Sequence, residues 1–528
     1  MSEKIRVRFA PSPTGYLHIG SLRTVLFDYL MARGMNAKLI LRIEDTDQKR
    51  EVKGAVDSLI NILDWLDIKF DEGPHIGGAF GPYIQSQRLA IYEKYAKQLL
   101  QQGKVYRCFC TLQRLEQMRR EQQAKKQPPR YDRTCRELSK TEIDTKLKTG
   151  AKFVIRQKMP LSGETVVNDE LRGEIKFNNA DLEDHVLIKS DGMPTYQFAV
   201  VVDDHLMEIS HVLRGDEWIS SFPKNILLYR DFGWQPPKFI HLALTLNKEG
   251  GKLSKRQGDV AVEDYRAKGY LAEALLNFSV LLGWHPRDEQ EILSINEMIK
   301  KFAYHDLGTS PAVFDSQKLD YFNGWYIRHK PIDELARLCL PFLASAGIIA
   351  DDRRQTTDDR NTKFSARGFC ASQRLVSLWP RSAFGGKNLL TGEEINFDYI
   401  KKVVSLEQER LKKLSEIGEL ARFFFEGQLK YEPELLIWKK LTLKQVKENL
   451  KLIDELLEKI PEQDWTDDSI EEGIMSYLKA KNLKVGEYLW PMRAALTGRQ
   501  ASPGPFAVAE VLGKEKSLGR LQQAIKSV

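Results

Sequence analysis

IRVRFAPSPTGYLHIGSLRTVLFDYLMARGMNAKLILRIEDTD, residues 5–47, is the stretch on which the fold turns. Ile5, Val7 and Phe9 alternate with Arg6 and Arg8, a period of two that predicts a strand. Pro11, Pro13 and Gly15 interrupt that pattern with a loop. Leu22, Val25, Leu26, Tyr29 and Leu30 then recur at helical spacing, with Gly34 placed to close the helix. Leu39 to Ile43 is a mostly apolar run, as in a buried parallel strand, and it ends in Glu44-Asp45-Thr46-Asp47. Strand, helix and strand in that order make a βαβ unit, the opening of a doubly wound sheet.

Outward from this unit the character of the chain changes twice. From about Cys108 to Asp184 it is charged and carries the Lys/Gln/Pro-rich piece KKQPPR, which reads as an insertion into the α/β domain. QFAVVVDDH, MEISHVLRGDE and FIHLALTL are then predicted strands, with a helix from Ile219 to Tyr229. Past about residue 260 the apolar spacing is helical, around 271–283, 399–425, 442–459, 469–482 and 506–526. The stretch 350–395 is polar and arginine-rich without a period, and reads as an exposed insertion or mobile loop.

The chain has 528 residues, 42% hydrophobic and 29% charged, a globular balance long enough for several domains. A formal net charge of +7 leaves positive charge for a polyanion but does not demand one. MSEKIRVRFAPSP has no basic stretch followed by an apolar one, and no run approaches ~18 apolar residues. Neither a signal peptide nor a membrane span is therefore expected. Five cysteines, Cys108, Cys110, Cys135, Cys339 and Cys370, suit reduced thiols in the cytoplasm.

Two loops carry chemistry. PSPTGYLHIG leads into a helix, where glycines let backbone approach a ligand and a helix N-terminus favours phosphate; His18 at that junction could equally be a helix cap. Lys252-Leu253-Ser254-Lys255-Arg256, flanked by Gly250-Gly251 and Gly258, could close over a triphosphate, or be a solvated basic loop. Cys108-Phe109-Cys110 with the distant Cys135 fits tetrahedral zinc or three metal-free thiols.

Together the motifs resemble those of class I aminoacyl-tRNA synthetases, as HIGS (His18–Ser21) after the first strand and KLSKR (Lys252–Arg256) after the last. RFAPSPTGYLHIGSLRT, LRIEDTD, GPYIQSQR, LIKSDGMPTYQFAVVVDDH, VLRGDEW, KLSKRQGD and LWPMRAALTG look like the bacterial-type glutamyl-tRNA synthetases, over nearly the whole chain. The resemblance implies a Rossmann-like α/β catalytic domain with an inserted acceptor-binding domain, followed by all-α anticodon-binding domains. It implies catalytic residues His18, Gly20, Lys252 and Lys255, with Gly15, Ser21 and Ser254 also at ATP, and Mg2+ accompanying the nucleotide. It places Arg8, Ala10, Ser12, Glu44, Tyr196 and Arg214 at glutamate, with Glu44 on the ammonium and the arginines suited to a carboxylate. It implies zinc on Cys108, Cys110, Tyr131 and Cys135, although Glu137 stands where some relatives have histidine. Arg410, Lys439, Lys440 and Arg493 are candidates for tRNA contact.

The implied boundaries are 1–107 and 187–248 for the two catalytic halves, 108–186 for the insertion, 249–328 for the KLSKR loop and stem contact, and 329–528 for the anticodon region. The implied partners are tRNA(Glu), L-glutamate and ATP, with tRNA(Gln) left open and a monomer expected. Three other readings fit less well. An enzyme glutamylating a modified tRNA base would lack the helical C-terminal half. A glutaminyl-tRNA synthetase would carry a β-barrel there. A catalytically dead tRNA binder would not need intact HIGS and KLSKR.

Overall fold

The computed structural model describes residues 5–50, 52–251, 253, 261–350 and 385–528. They form two compact units, Met1–Asp264 with Leu275–Ser316, and Tyr265–Ala274 with Gln317–Val528. No helix among the described residues is long and apolar enough to cross a membrane.

In the first unit β1 (Arg6–Phe9) and β2 (Lys38–Leu41) pair in parallel, joined by α1 (Ile19–Gly34) as the alternation and spacing predict. After α2 (Ala55–Trp65) and α3 (Leu89–Gln101), the antiparallel strands β3 (Val105–Cys108), β4 (Val154–Gln157) and β7 (Val186–Ile188) frame the charged stretch. That stretch contains α4 (Leu112–Ala124), α5 (Lys140–Lys148) and the hairpin β5 (Glu164–Asp169)–β6 (Gly173–Asn178). Then come α6 (Tyr196–Leu206), β8 (His211–Gly215), α7 (Phe222–Phe232) and β9 (Lys238–Leu242). β6, β5, β9 and β8 form one sheet, with β9 parallel to both β5 and β8. Ser210 donates its N–H to the Arg6 carbonyl, while Arg8 reaches the Leu213 carbonyl, so β8 runs beside β1 in the same direction. The hairpin inside the expected insertion thus continues the sheet of β8 and β9.

Two local expectations fail. QFAVVVDDH is not a strand but the helix α6. Phe198 to Asp204 are all buried, so the helix has no exposed face to give a 3.6 period, and three consecutive valines imitate a strand. Gly34 is the last residue of α1 but not its C-cap, which is Met35, its N–H on the Met31 carbonyl, with Asn36 at φ 50°. A Cβ on Gly34 would stand 3.0 Å from the Ile299 carbonyl, so glycine is there for close packing.

Burying α6 buries two carboxylates, and arginines meet them. Arg42, fully enclosed, contacts Glu44 at 2.9 Å and Asp204 at 2.7 Å. Asp204 also accepts from Arg8 at 3.1 Å. Asp203 accepts from Arg88, Gln85 and Tyr92, each at 2.8 Å. Burial raises the Glu44 pKa, opposed by Arg42 and Arg8, whereas in Asp204 the two arginines outweigh burial and lower it.

The second unit is helical and closes around Phe423, Phe424 and Phe425 with Leu450, Ile453 and Ile474. The helix Leu443–Glu458 starts on a Thr442/Gln445 capping box. The helices expected at 399–425 and 506–526 are interrupted. The first ends at Glu407, and the second splits into Pro505–Leu512 and Lys514–Ser527 at Gly513, φ 81°. Of the stretch 350–395, residues 351–384 lie outside the described residues. Gly385–Lys387 pairs with Glu394–Asn396 in an antiparallel hairpin rather than a loop, anchored by buried Ile395 and by Asn388 bonding the Phe425 carbonyl.

Replacing Arg42 with methionine leaves Glu44 and part of Asp204 unneutralised inside the core. We expect a loss of about 3–5 kcal/mol of stability. Urea unfolding of the whole chain measures it, and a loss under about 1 kcal/mol would show the carboxylates to be water-relaxed.

Candidate active site

The loop after β1, the end of β2 and the end of β8 converge at the switch between β1 and β8, where ligands of doubly wound sheets bind. Arg8 and Arg214 come from β1 and β8, Glu44 follows β2, and Tyr196 opens α6. Glu44 N–H bonds the Pro11 carbonyl, which ties the PSP loop to the strand end. Ala10 is half-buried and Ser12 is exposed. The residues expected at an amino acid are therefore gathered, but their charges are not equivalent. Arg8 is matched by Asp204, and neighbouring carboxylates hold its pKa up against burial. Arg214 donates Nε–H to His241 at 3.0 Å and Nη1–H to Asn225 at 3.1 Å, both neutral acceptors. Its Nη2 is buried without a hydrogen-bond partner among the described residues. Burial lowers the Arg214 pKa, with Tyr196 acting the other way. A carboxylate arriving here would find a guanidinium edge ready for it.

His18 is the N-cap of α1, its Nδ1 accepting from Gly20 N–H at 3.0 Å. The ring proton then sits on Nε2, the atom able to donate to a phosphate oxygen. The cap reading and the phosphate reading are thus compatible. The Ser21 and Leu22 N–H groups are both taken by the His18 carbonyl, so the helix end offers its partial charge more than free donors. Gly15 lies in the preceding loop at φ 155°. Lys252, Ser254 and Lys255 lie outside the described residues. The chain on either side of them is placed, however. Asn247 Oδ1 accepts from Glu249 and Gly251 N–H, forming a tight turn on the way in. On the way out Val262 N–H bonds the Leu17 carbonyl at 2.8 Å, and Ala261 bridges His18. The exit of the KLSKR loop is therefore stitched to the HIGS turn.

The thiols of Cys108, Cys110 and Cys135 lie within 4.8 Å of one another. Tyr131 OH is 3.2 Å from Cys108 Sγ and 3.5 Å from Cys110 Sγ. Hydrogen bonds, first from Cys135, pull the Cys108 pKa down to about 4. The same hydrogen bond pushes the Cys135 thiol up, and it is the mutual spacing of the three thiols that suits a tetrahedral ion with Zn–S near ~2.3 Å. Glu137 is exposed and pairs with Arg136 at 3.8 Å, away from ligand duty.

In the second unit Arg410 bonds Glu407 at 2.6 Å and the Ala501 carbonyl at 3.1 Å, while Arg493 stacks 4.5 Å over Trp490 and bonds the Gln500 carbonyl. Lys439 and Lys440 are exposed.

Asp203, Asp204, Arg42, Asp169 and His241 escaped the sequence reading of the site. The signal available was a pair of aspartates inside an apolar run, which is expensive unless cations are buried with it.

A doubly wound α/β unit with cations and a carboxylate at its strand ends, a histidine-capped helix beside them, and a separate helical unit, is the build of a class I aminoacyl-tRNA synthetase. Residues 4–321 match the family of tRNA synthetases class I (E and Q), catalytic domain, and residues 371–525 match an anticodon binding domain. The chain belongs to this class I (E and Q) tRNA synthetase family. It is 44% identical over 528 residues to a glutamate–tRNA ligase of Clostridium botulinum, covering 99% of each chain. It is 42% identical over 525 residues to one from Dehalococcoides mccartyi, covering 99% of this chain and 98% of the other. The crystal structure of a glutamate tRNA ligase from Elizabethkingia meningosepticum, in complex with its amino acid, is similar with a TM-score of 0.83 and 33% identity, covering 99% of this chain and 100% of that one.

His18→Asn keeps a capping acceptor and His18→Ala does not. The alanine variant should be about 1 kcal/mol less stable than the asparagine one. Both should lose ATP–pyrophosphate exchange by about 100-fold, since neither carries an imidazole N–H. Exchange retained by His18→Asn would confine His18 to capping.

Proposed function

We propose that this chain is a glutamate–tRNA ligase that joins the α-carboxylate of L-glutamate to the α-phosphate of ATP, expels pyrophosphate, and passes the glutamyl group to the 3′ end of tRNA(Glu). The observation that carries the reading is Arg214, a buried cation with an open edge and no carboxylate of its own among the described residues. A glutamate side chain completes it, while glutamine would leave it without a counter-charge. Glu44 takes the substrate ammonium, its residual charge set by Arg42 and Arg8. Arg8, Ala10, Ser12 and Tyr196 shape the remaining pocket.

Both reacting groups are anions, so the barrier is mainly repulsion and placement. His18, with Gly15, Gly20 and Ser21 around it, faces the ATP phosphates. Lys252, Ser254 and Lys255, which lie outside the described residues, are assigned to the same phosphates, and Mg2+ enters with the nucleotide as a substrate ion. Residues 1–107 and 187–248 carry activation, 108–186 holds the acceptor end, 249–328 contacts the stem, and 329–528 meets the anticodon, with Arg410 and Arg493 on that side. Cys108, Cys110, Tyr131 and Cys135 would hold a structural zinc.

Arg214→Gln should raise the glutamate KM at least about 30-fold with the ATP KM within about twofold, because it removes one charge-assisted pair of about 2 kcal/mol. Aminoacylation of tRNA(Glu) and tRNA(Gln) transcripts with radiolabelled glutamate reads this, and equal changes in both constants would remove Arg214 from the pocket. Chelator-washed protein should retain about one zinc per chain, and less than about 0.2 rejects the thiol site.

A further inference from the structure

Arg214 is aimed by a buried relay that ends in the β5–β6 hairpin. In the parallel register of β8 and β9, Arg214 stands directly opposite His241. Arg214 Nε–H points at His241 Nε2, 3.0 Å away, so Nε2 must present its lone pair. The ring proton is therefore on Nδ1, and Nδ1 lies 2.7 Å from Asp169 Oδ2. Asp169 and His241 side chains are both fully enclosed. Asp169 is itself held without freedom. Oδ2 also accepts the His241 backbone N–H at 3.0 Å, and Oδ1 accepts the Leu171 and Arg172 N–H groups at 3.0 and 2.9 Å. On the other side of the guanidinium, Asn225 takes Nη1–H and is in turn bonded to Gln197. Phe239 lies 4.9 Å beneath the guanidinium carbon. With Nε, Nη1 and one face all fixed, Nη2 makes no hydrogen bond among the described residues, and Tyr196 is the polar side chain that acts on the guanidinium there. Burial lowers the His241 pKa, which keeps the ring neutral and the lone pair available near neutral pH.

Resting on the assignment of Arg214 to the glutamate side chain, we propose that Asp169 and His241 are positioning residues for substrate specificity. Asp169 fixes the His241 tautomer, and His241 fixes the rotation of Arg214 toward the carboxylate. Asp169→Asn would invert this order. The amide introduced in place of the carboxylate can donate to Nδ1, pushing the proton to Nε2 and setting two N–H donors against each other.

Four variants and one spectrum test it. Asp169→Asn and His241→Leu should each raise the glutamate KM about tenfold or more, lower the preference for glutamate over glutamine, and leave the ATP KM within about twofold. His241→Gln places a carbonyl oxygen near the Nε2 position and should stay within about threefold of the wild type. Adding Asp169→Asn to His241→Gln should change the glutamate KM no further. In the unaltered protein, the 15N spectrum should show His241 protonated on Nδ1 and bare on Nε2, a measurement independent of how any variant folds. The reverse tautomer overturns the proposal. So does an unchanged glutamate KM in Asp169→Asn and His241→Leu when Arg214→Gln raises it, or an equal rise in both KM values. An unchanged glutamate KM in Arg214→Gln would instead remove the pocket assignment itself.

Discussion

A fully enclosed arginine shared between two carboxylates organises the first unit. Arg42 holds Glu44 at the end of β2 and Asp204 on α6, and Asp204 in turn holds Arg8 on β1. Three elements distant in the chain are thereby locked by charges that have no water to fall back on. Such a pair of ions tolerates little displacement, because separation in a medium of low polarity costs far more than at a surface. The arrangement also decides which groups remain available. Arg8 and Arg42 are neutralised from within the protein, whereas among the described residues Arg214 has no ion pair. Under the proposed assignment, selectivity for an acidic side chain depends less on how many cations line the pocket than on which one the fold leaves uncompensated.

The opening βαβ unit was legible although it is enclosed: the alternation along β1 marks Arg6 and Arg8, buried on ion pairs to Glu72 and Asp204, against Val7 and Phe9. β1, α1 and β2 fall where alternation, helical spacing and the apolar run put them. α6 was misread because its three consecutive valines imitate a strand. With Phe198 through Asp204 all enclosed, polarity along it no longer tracks the direction a side chain points. In the site, Arg8, Glu44, Tyr196 and Arg214 could be named from motif blocks. Their division into paired and unpaired cations could not, since it depends on Asp204 and His241, which meet them only through sheet pairing. Gly34 teaches the same lesson on a smaller scale. A glycine near a helix end suggests a cap, yet here a backbone carbonyl from residue 299 fills the space beside it.

The HIGS turn and the chain leaving the KLSKR stretch are likewise joined by backbone. The bond from Val262 to Leu17 and the bridge between Ala261 and His18 bring segments more than two hundred residues apart onto one line of main chain. Arg23 adds a second link, donating from α1 to the carbonyls of Ala243 and Leu282. Main-chain contacts of this kind constrain position without constraining residue identity, which is why spacing alone said nothing of them.

The parallel register of β8 and β9 has a consequence for chain length. Arg214 faces His241, flanked along β9 by Ile240 and Leu242. One residue gained or lost between Gly233 and Lys238 would favour sliding β9 by a single step and setting a hydrocarbon side chain opposite the guanidinium. The segment connecting α7 to β9 is thus under a counting constraint. Its length, more than its composition, keeps an acceptor in front of the donor.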